Sequence, residues 1–327
     1  MDRSPRTGIG FALLCLGILG ALPILANARP AGSAGLTFAV WLTFWQLVAS
    51  LPLFGAEILR ARSADPLGRL VQACRGRSGL IALVTGAMFG GSTYMYVVAA
   101  ERAGPVSLAI ALQAYPVFAT LVERLFLGKR KSGAELFFTA LMIAALVYLT
   151  TEGTFRVADI SWWTVFALGI PLLWSVAHIM LKRVLETTPA TPNQVTVSRL
   201  VVSGGCLLVL AMVIGDGAGL LAAGIDPSFQ RAAIVMGVAY YLELILWFHA
   251  MRHIDVSLAS SVTVPAPAVT MLLAVLVLGD SLQTYQLLAM ALIAAGMYGL
   301  VLTGGRGERT SEPPTARPER PGNRPRA

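Results

Sequence analysis

The sequence predicts an all-α polytopic membrane protein with ten transmembrane helices, organised as two five-helix repeats inverted with respect to each other. Three observations predict it. Of 327 residues, 56% are hydrophobic and only 13% are charged, against about 25% charged in a soluble domain. The charges gather in short connections and a C-terminal tail, leaving ten apolar stretches near the ~20 residues that cross hydrocarbon as helix. Short sequence matches also recur at nearly half the chain length. A soluble enzyme is excluded, and because the apolar runs are continuous instead of alternating, so is a transmembrane β-barrel.

The first repeat, 8–151, places spans at 8–28, 35–59, 79–99, 106–126 and 133–151. The second, 162–303, places them at 162–181, 195–215, 232–250, 257–278 and 284–303. Residues 1–7 precede the first span, 152–161 join the repeats, and 304–327 form the tail. Arg3 and Arg6 ahead of an apolar run superficially resemble a signal peptide, but nine spans follow, so an uncleaved first helix is expected. Lys and Arg number 25 against 17 acids, a net charge of +8. With the N-terminus in the cytoplasm, 21 of the 25 basic residues fall inside and only Arg29, Arg102, Arg156 and Arg231 outside. That asymmetry orients both termini inward.

Between the second and third spans, Leu67, Leu70, Val71 and Cys74 recur at helical spacing beside Arg69, Arg75 and Arg77. The segment is either a short helix on the anionic inner leaflet or a plain basic loop. From Gly304 onward the tail has five prolines, six arginines and almost nothing apolar, the composition of a disordered segment. Cys15 and Cys206 lie within spans and Cys74 in the basic loop, so no disulfide framework is expected.

The repeat is read from three matches. Residues 102–109, RAGPVSLA, match 252–259, RHIDVSLA, at an offset of 150; Pro116 matches Pro267 and Leu127-Gly128 matches Leu278-Gly279 at 151. One inserted residue reconciles the offsets. Five spans is an odd number, so the second copy enters the membrane from the opposite side. Exchanging the conformations of two such halves swaps which side is open, a property that a transporter uses and a receptor or scaffold does not need. Pro116, and Pro265 with Pro267 in its counterpart, predict mid-span kinks, whose freed carbonyls must face protein or a wet cavity. Pro23 and Pro171 sit comparably in the first and sixth spans. Each kink either lines and gates a pathway or only shapes packing.

Glu243 is the one carboxylate well inside a span, about seven residues or roughly 11 Å from the inner end of its helix. A charge at that depth is costly unless paired or hydrated. It is expected to face the interior, as a substrate-amine or proton-coupling group or as a structural partner. Tyr240, Leu244 and Trp247 share its broad face. Trp41 with Trp45, and Trp174 with His178, are i,i+4 pairs, while Tyr94, Gln113 and Tyr115 lie in the third and fourth spans. Rings enclose a largely apolar solute and Gln or Tyr supplies orienting hydrogen bonds; lipid contact or an interfacial belt is the alternative, favoured for Trp162 and Trp163. His178, His249 and His253 do not make a metal set. Arg199 is expected to snorkel to the inner headgroups, and Glu123 beside Arg124 to form a surface pair or gate contact. No GxxxxGK[ST], HExxH, CxxC or GxSxG motif occurs, so neither ATP drive nor a catalytic centre is expected, and no cofactor or metal. Nucleic acid is not an expected partner; a small-molecule substrate, membrane lipids and protons are.

The fourth and ninth spans, GPVSLAIALQAYPVFATLVERLFLGKR and DVSLASSVTVPAPAVTMLLAVLVLGD, together with ten spans in two inverted halves, short loops and a basic inner side, resemble the drug/metabolite transporter superfamily, and within it the EamA-type permeases. The resemblance covers about residues 8–303. It implies a basket of helices around a central cavity with the fifth and tenth spans peripheral, and a bacterial inner-membrane exporter of amino acids or other small metabolites, aromatic amino acids first. Export of amphiphilic cations is the alternative within the same fold. Gln113 and Tyr115 face Thr263 and Pro265 at the simple offset, an asymmetry that gives the cavity chemical direction. Oligomeric state is left open between monomer and dimer.

Overall fold

The computed structural model describes residues 5–30, 32–60, 77–127, 132–187, 191–214, 217–253 and 262–309. The helices are α1 (Pro5–Asn27), α2 (Gly35–Arg60), α3 (Arg77–Arg102), α4 (Pro105–Leu112), α5 (Tyr115–Leu127) and α6 (Gly133–Thr150), then α7 (Trp162–Thr187), α8 (Pro192–Ile214), α9 (Gly217–Ile225), α10 (Pro227–His253), α11 (Ala266–Leu273) and α12 (Thr284–Arg309). Prolines open α1, α4, α8 and α10, where a missing N–H costs no intrahelical bond. Ser132 and Glu135 cap α6 reciprocally, satisfying two donors that the helix start leaves unpaired.

Among the described residues, seven helices are long and apolar enough to cross a membrane, and Pro105–Ala119, Ala266–Leu278 and Thr284–Leu300 are shorter apolar helices. Large apolar side chains ring the outside: Val213 is 78% exposed, Leu221 77% and Phe137 64%. A belt of that kind is stable against hydrocarbon and not against water. The chain is a multi-pass, all-α membrane protein.

The fourth and ninth segments correct an expectation. Pro116 and Pro267 do not kink continuous helices; the helices break just before them. Gln113 and Ala114 form a turn between α4 and α5, and Val264 and Pro265 form a turn ahead of α11. Pro116 has no N–H for the Leu112 carbonyl, and its ring crowds the preceding turn. The chain tightens instead, with Gln113 N–H donating to Ile110 O (3.1 Å) and Ala114 N–H to Ala111 O (3.0 Å). Pro116 and Pro267 are each the second residue of a new helix, whereas Pro23 and Pro171 stay buried inside α1 and α7. Past α11, Ala274–Leu278 form a π turn ended by Gly279, whose φ of 71° is left-handed. Such a stop suits glycine, which has no Cβ to clash.

Two further differences concern ends and connections. Helix α12 continues to Arg309, so the first six residues of the expected tail are helical, because extending a helix is easier than starting one. The α8–α10 connection, which falls between the expected spans 195–215 and 232–250, contains the helix α9. The basic segment 61–76, the Asp255–Ala259 portion of the second matched motif, and 310–327 lie outside the described residues.

Helix α1 packs on α10 and α11, α7 on α3 and on α4 and α5, α3 on α8, α2 on α8 and α10, and α6 on α12. Hydrogen bonds stitch the seams: Thr270 Oγ1 donates to Gly20 O (2.7 Å), Ser203 Oγ to Gly86 O (2.7 Å) and Asn193 Nδ2 to Glu57 Oε2 (2.9 Å). Arg29 pairs with Glu101 and also donates to Val97 O at 3.1 Å, tying the end of α1 to the end of α3.

Candidate functional site

Helix α10 presents Tyr240, Glu243 and Trp247 along one broad face, as spacings of three and four residues dictate. Glu243 meets α1, where the Cys15 thiol donates to its Oε1 and to its backbone carbonyl, both at 3.7 Å. The Tyr240 ring lies 5.9 Å from that of Tyr96 on α3, whose hydroxyl is buried with no hydrogen-bond partner among the described residues.

Across the interior, α8 supplies Arg199. Its Cζ stands 4.2 Å from the centre of the Phe89 ring, and its Nε is buried with no hydrogen-bond partner among the described residues. This corrects the expected snorkelling: the cation rests on an aromatic face inside the bundle. It is within electrostatic reach of Glu243, Tyr240 and His178, yet among the described residues no carboxylate lies within 4 Å of it.

From α7, Trp174 Nε1 donates to Ser92 Oγ (2.9 Å), and the His178 ring stands between Phe89 (5.3 Å) and Tyr115 (5.7 Å). His178 lies deep within the protein and is nevertheless exposed, while Arg199, Tyr240 and Glu243 are equally deep and only half-buried. Side chains of this kind border a cavity or a cleft between the helices. Tyr115 adjoins His178, His178, Tyr240 and Glu243 are each within electrostatic reach of Arg199, and Trp174 lies one turn before His178 on α7.

The other expected residues go elsewhere. Trp41 Nε1 donates to Leu220 O (3.2 Å) and Trp45 Nε1 to Gln230 Oε1 (2.7 Å), while Gln230 Nε2 donates to Ala223 O (2.9 Å). These two rings clamp α9 and the start of α10 onto α2. Trp247 packs with Phe11 against Ala12 and Ala250, and Phe11 also contacts the rings of His249 (5.5 Å) and His253 (6.2 Å). Tyr94 is half-buried against the main core, and Gln113 lies in the turn between α4 and α5. Trp162 and Trp163 are 74% and 43% exposed, with Arg102 5.5 Å from the Trp163 ring centre, as residues of an interfacial belt are.

Sequence reasoning assigns Phe89 and Ser92 no role and directs Arg199 to the headgroups. A base at the fifth residue of the expected span 195–215 is a signal in principle, but helical phase alone does not say whether a long side chain turns inward or towards headgroups.

Residues 161–302 match the EamA-like transporter family, whose members are transporters and not enzymes. The second part of the chain is therefore an EamA-like domain. No curated protein matches the chain. Twenty-five solved chains match; one of them, described as "Crystal structure of protein", aligns with a TM-score of 0.61 at 16% identity, covering 91% of this chain and 98% of its own. At that identity the likeness concerns the fold alone.

Proposed function

We propose that this protein is a secondary transporter of the bacterial inner membrane that exports neutral amino acids, aromatic ones first, and related small metabolites. It works by alternating access between two inverted five-helix halves, with both termini in the cytoplasm. What supports the reading is Glu243, half-buried deep in the bundle beside Tyr240 and within electrostatic reach of Arg199, in a chain whose residues 161–302 form an EamA-like domain.

The inverted repeat has support beyond the sequence matches. The breaks at Gln113-Ala114 and Val264-Pro265 are 151 residues apart, the offset of the paired prolines. Gly86 and Gly237 are also 151 apart, within Ala82-Leu83-Val84-Thr85-Gly86 and Ala233-Ile234-Val235-Met236-Gly237. Gly86 meets Val202 across the α3–α8 seam, and Gly237 meets Leu42 and Trp45 across the α10–α2 seam. Exchanging the halves turns one seam into the other, and likewise turns the α1–α10 contact into the α7–α3 contact. Two broken helices meeting at mid-bundle fit a substrate site between repeats.

The test is efflux of labelled Phe, Trp, Met, Leu, Thr and Ala from liposomes containing the purified protein, with and without an imposed pH gradient. Saturable efflux of aromatic or other neutral amino acids above empty vesicles is expected. Glu243→Gln should slow it at least about tenfold, equivalent to about 1.4 kcal/mol, with the protein still monodisperse. Acceleration by the gradient assigns Glu243 to proton coupling; indifference assigns facilitated exit. That no base pairs directly with the acid among the described residues favours amphiphilic cations as the second reading, which flux of cations without amino acids would establish in place of the first.

A further inference from the structure

We infer that Arg199 and Glu243 form a two-ended zwitterion site, in which the Arg199 guanidinium takes the substrate carboxylate and Glu243 its ammonium group. The inference rests on the amino-acid reading above and assigns what selects such a substrate over an amine or an acid.

Three observations carry it. The two groups sit on different helices, α8 and α10, close enough to interact electrostatically, yet no ion pair within 4 Å joins them. Two opposite charges in a poorly hydrated interior would collapse onto each other unless the scaffold held them apart. Here Arg199 is held by the Phe89 face and Glu243 by the Cys15 thiol. Second, each retains capacity to bind. The Arg199 side chain is only half-buried, and no carboxylate lies within 4 Å of it among the described residues. Among the described residues, the Glu243 carboxylate accepts one weak sulfur donor, at 3.7 Å. Third, both side chains lie deep among the helices yet keep accessible surface, with the Tyr240 ring one turn before Glu243 on α10 to take an apolar side chain.

An α-amino acid carries both of its charges on one carbon. Placed between Arg199 and Glu243, it neutralises both ends of the site in a single event, and the planar guanidinium suits a carboxylate bidentately. A monoamine of the same apolar body leaves Arg199 unmatched and brings a second cation beside it. A carboxylic acid leaves Glu243 unmatched in the same way. A site built for a polar group rejects the analogue that lacks it far more strongly than it rejects a change in apolar volume.

The experiment compares L-phenylalanine with phenethylamine, which lacks the carboxylate, and 3-phenylpropionate, which lacks the ammonium. Each competes with labelled L-phenylalanine for efflux by the intact protein in liposomes. Wild type should favour L-phenylalanine over both analogues by at least tenfold. Arg199→Gln should bring the ratio of phenethylamine to L-phenylalanine efflux to within about twofold of unity while still excluding 3-phenylpropionate, and Arg199→Lys should restore part of the discrimination. Wild type that accepts phenethylamine as readily as L-phenylalanine overturns the inference without any variant. A monodisperse Arg199→Gln protein that keeps full discrimination overturns it too, and leaves amino-acid export standing. Wild type that moves phenethylamine but no L-phenylalanine overturns amino-acid export and the zwitterion site together.

Discussion

Replacing Gly237 by alanine tests the seam on which the bundle's geometry depends. A methyl group there would stand 2.7 Å from Leu42 O, 2.8 Å from Trp45 Cβ and 3.0 Å from Gln46 N. Two of these atoms are backbone, and the third belongs to a side chain fixed by its 2.7 Å bond to Gln230. No rotamer change makes room, so α10 must move off α2 as a body. A gap of 0.5–1 Å forfeits roughly a quarter to a half of each dispersion contact along the seam, and overpacking of this kind costs about 1–3 kcal/mol. At about 2–4 °C per kcal/mol for a chain of this size class, the thermal midpoint should fall by roughly 2–12 °C. Gly91 is the control: it too is helical, but nothing lies within 4 Å of a Cβ built on it. Gly91→Ala should leave the midpoint unchanged or raise it slightly, since alanine gains up to about 1 kcal/mol in helix propensity. Heating detergent-purified protein and following the monodisperse peak on size exclusion measures all three. A Gly237→Ala midpoint within a degree of wild type, or a Gly91→Ala midpoint equally depressed, would refute the close approach of α10 to α2.

Two further outcomes are expected. Pro116→Ala and Pro267→Ala supply the N–H that lets α4 join α5 and the ninth segment run through; efflux should slow several-fold while the thermal midpoint holds or rises, and unchanged efflux would separate the breaks from transport. Asp226 caps α10 by accepting from the Ser228 hydroxyl (2.8 Å) and N–H (2.9 Å), and these bonds hold its carboxyl below the usual 3.8. Because the folded value is the lower one, its stabilisation is complete above pH 3.8 and lost as pH falls through the folded value. Asp226→Ala should therefore melt below wild type at pH 7, and the gap should close below pH 3.8; a gap that stays constant into that acid range contradicts the capping.

How much of this was legible in the sequence depends on the kind of force involved. The expected spans coincide closely with the helices for α1, α2, α3, α6, α7, α8 and α10, because burial in hydrocarbon is a property of composition over some twenty residues. The break before Pro116 was only half visible: a missing donor predicts a disturbance, but whether the helix bends or stops depends on how α4 and α5 pack on α7. Glu243 stood out because a carboxylate at that depth has few tolerable surroundings, and the fold turns it towards α1 and the Cys15 thiol. Trp41 and Trp45 share a helical face as expected, yet that face meets α9 and the start of α10 instead of Glu243, and no local pattern encodes which neighbour a face will meet. Arg199 was misjudged for the opposite reason, since its stem reaches equally well to headgroups or to Phe89.

The Arg29–Glu101 pair has a bearing on how the protein is made. The Arg29 side chain is 6% exposed in the finished fold, so it cannot take its place without the partner, and that partner is synthesised 72 residues later. At about 5–20 residues per second, roughly 4–14 s separate the two on the ribosome. Throughout that interval the first two helices can be inserted but not locked, because the cation at the end of α1 has only water or headgroups to answer it. Arrival of the third helix supplies both Glu101 and the Val97 carbonyl at once. The pair thus acts as a latch set during biogenesis, and a chain arrested before residue 101 should hold its first hairpin loosely, open to extraction and proteolysis.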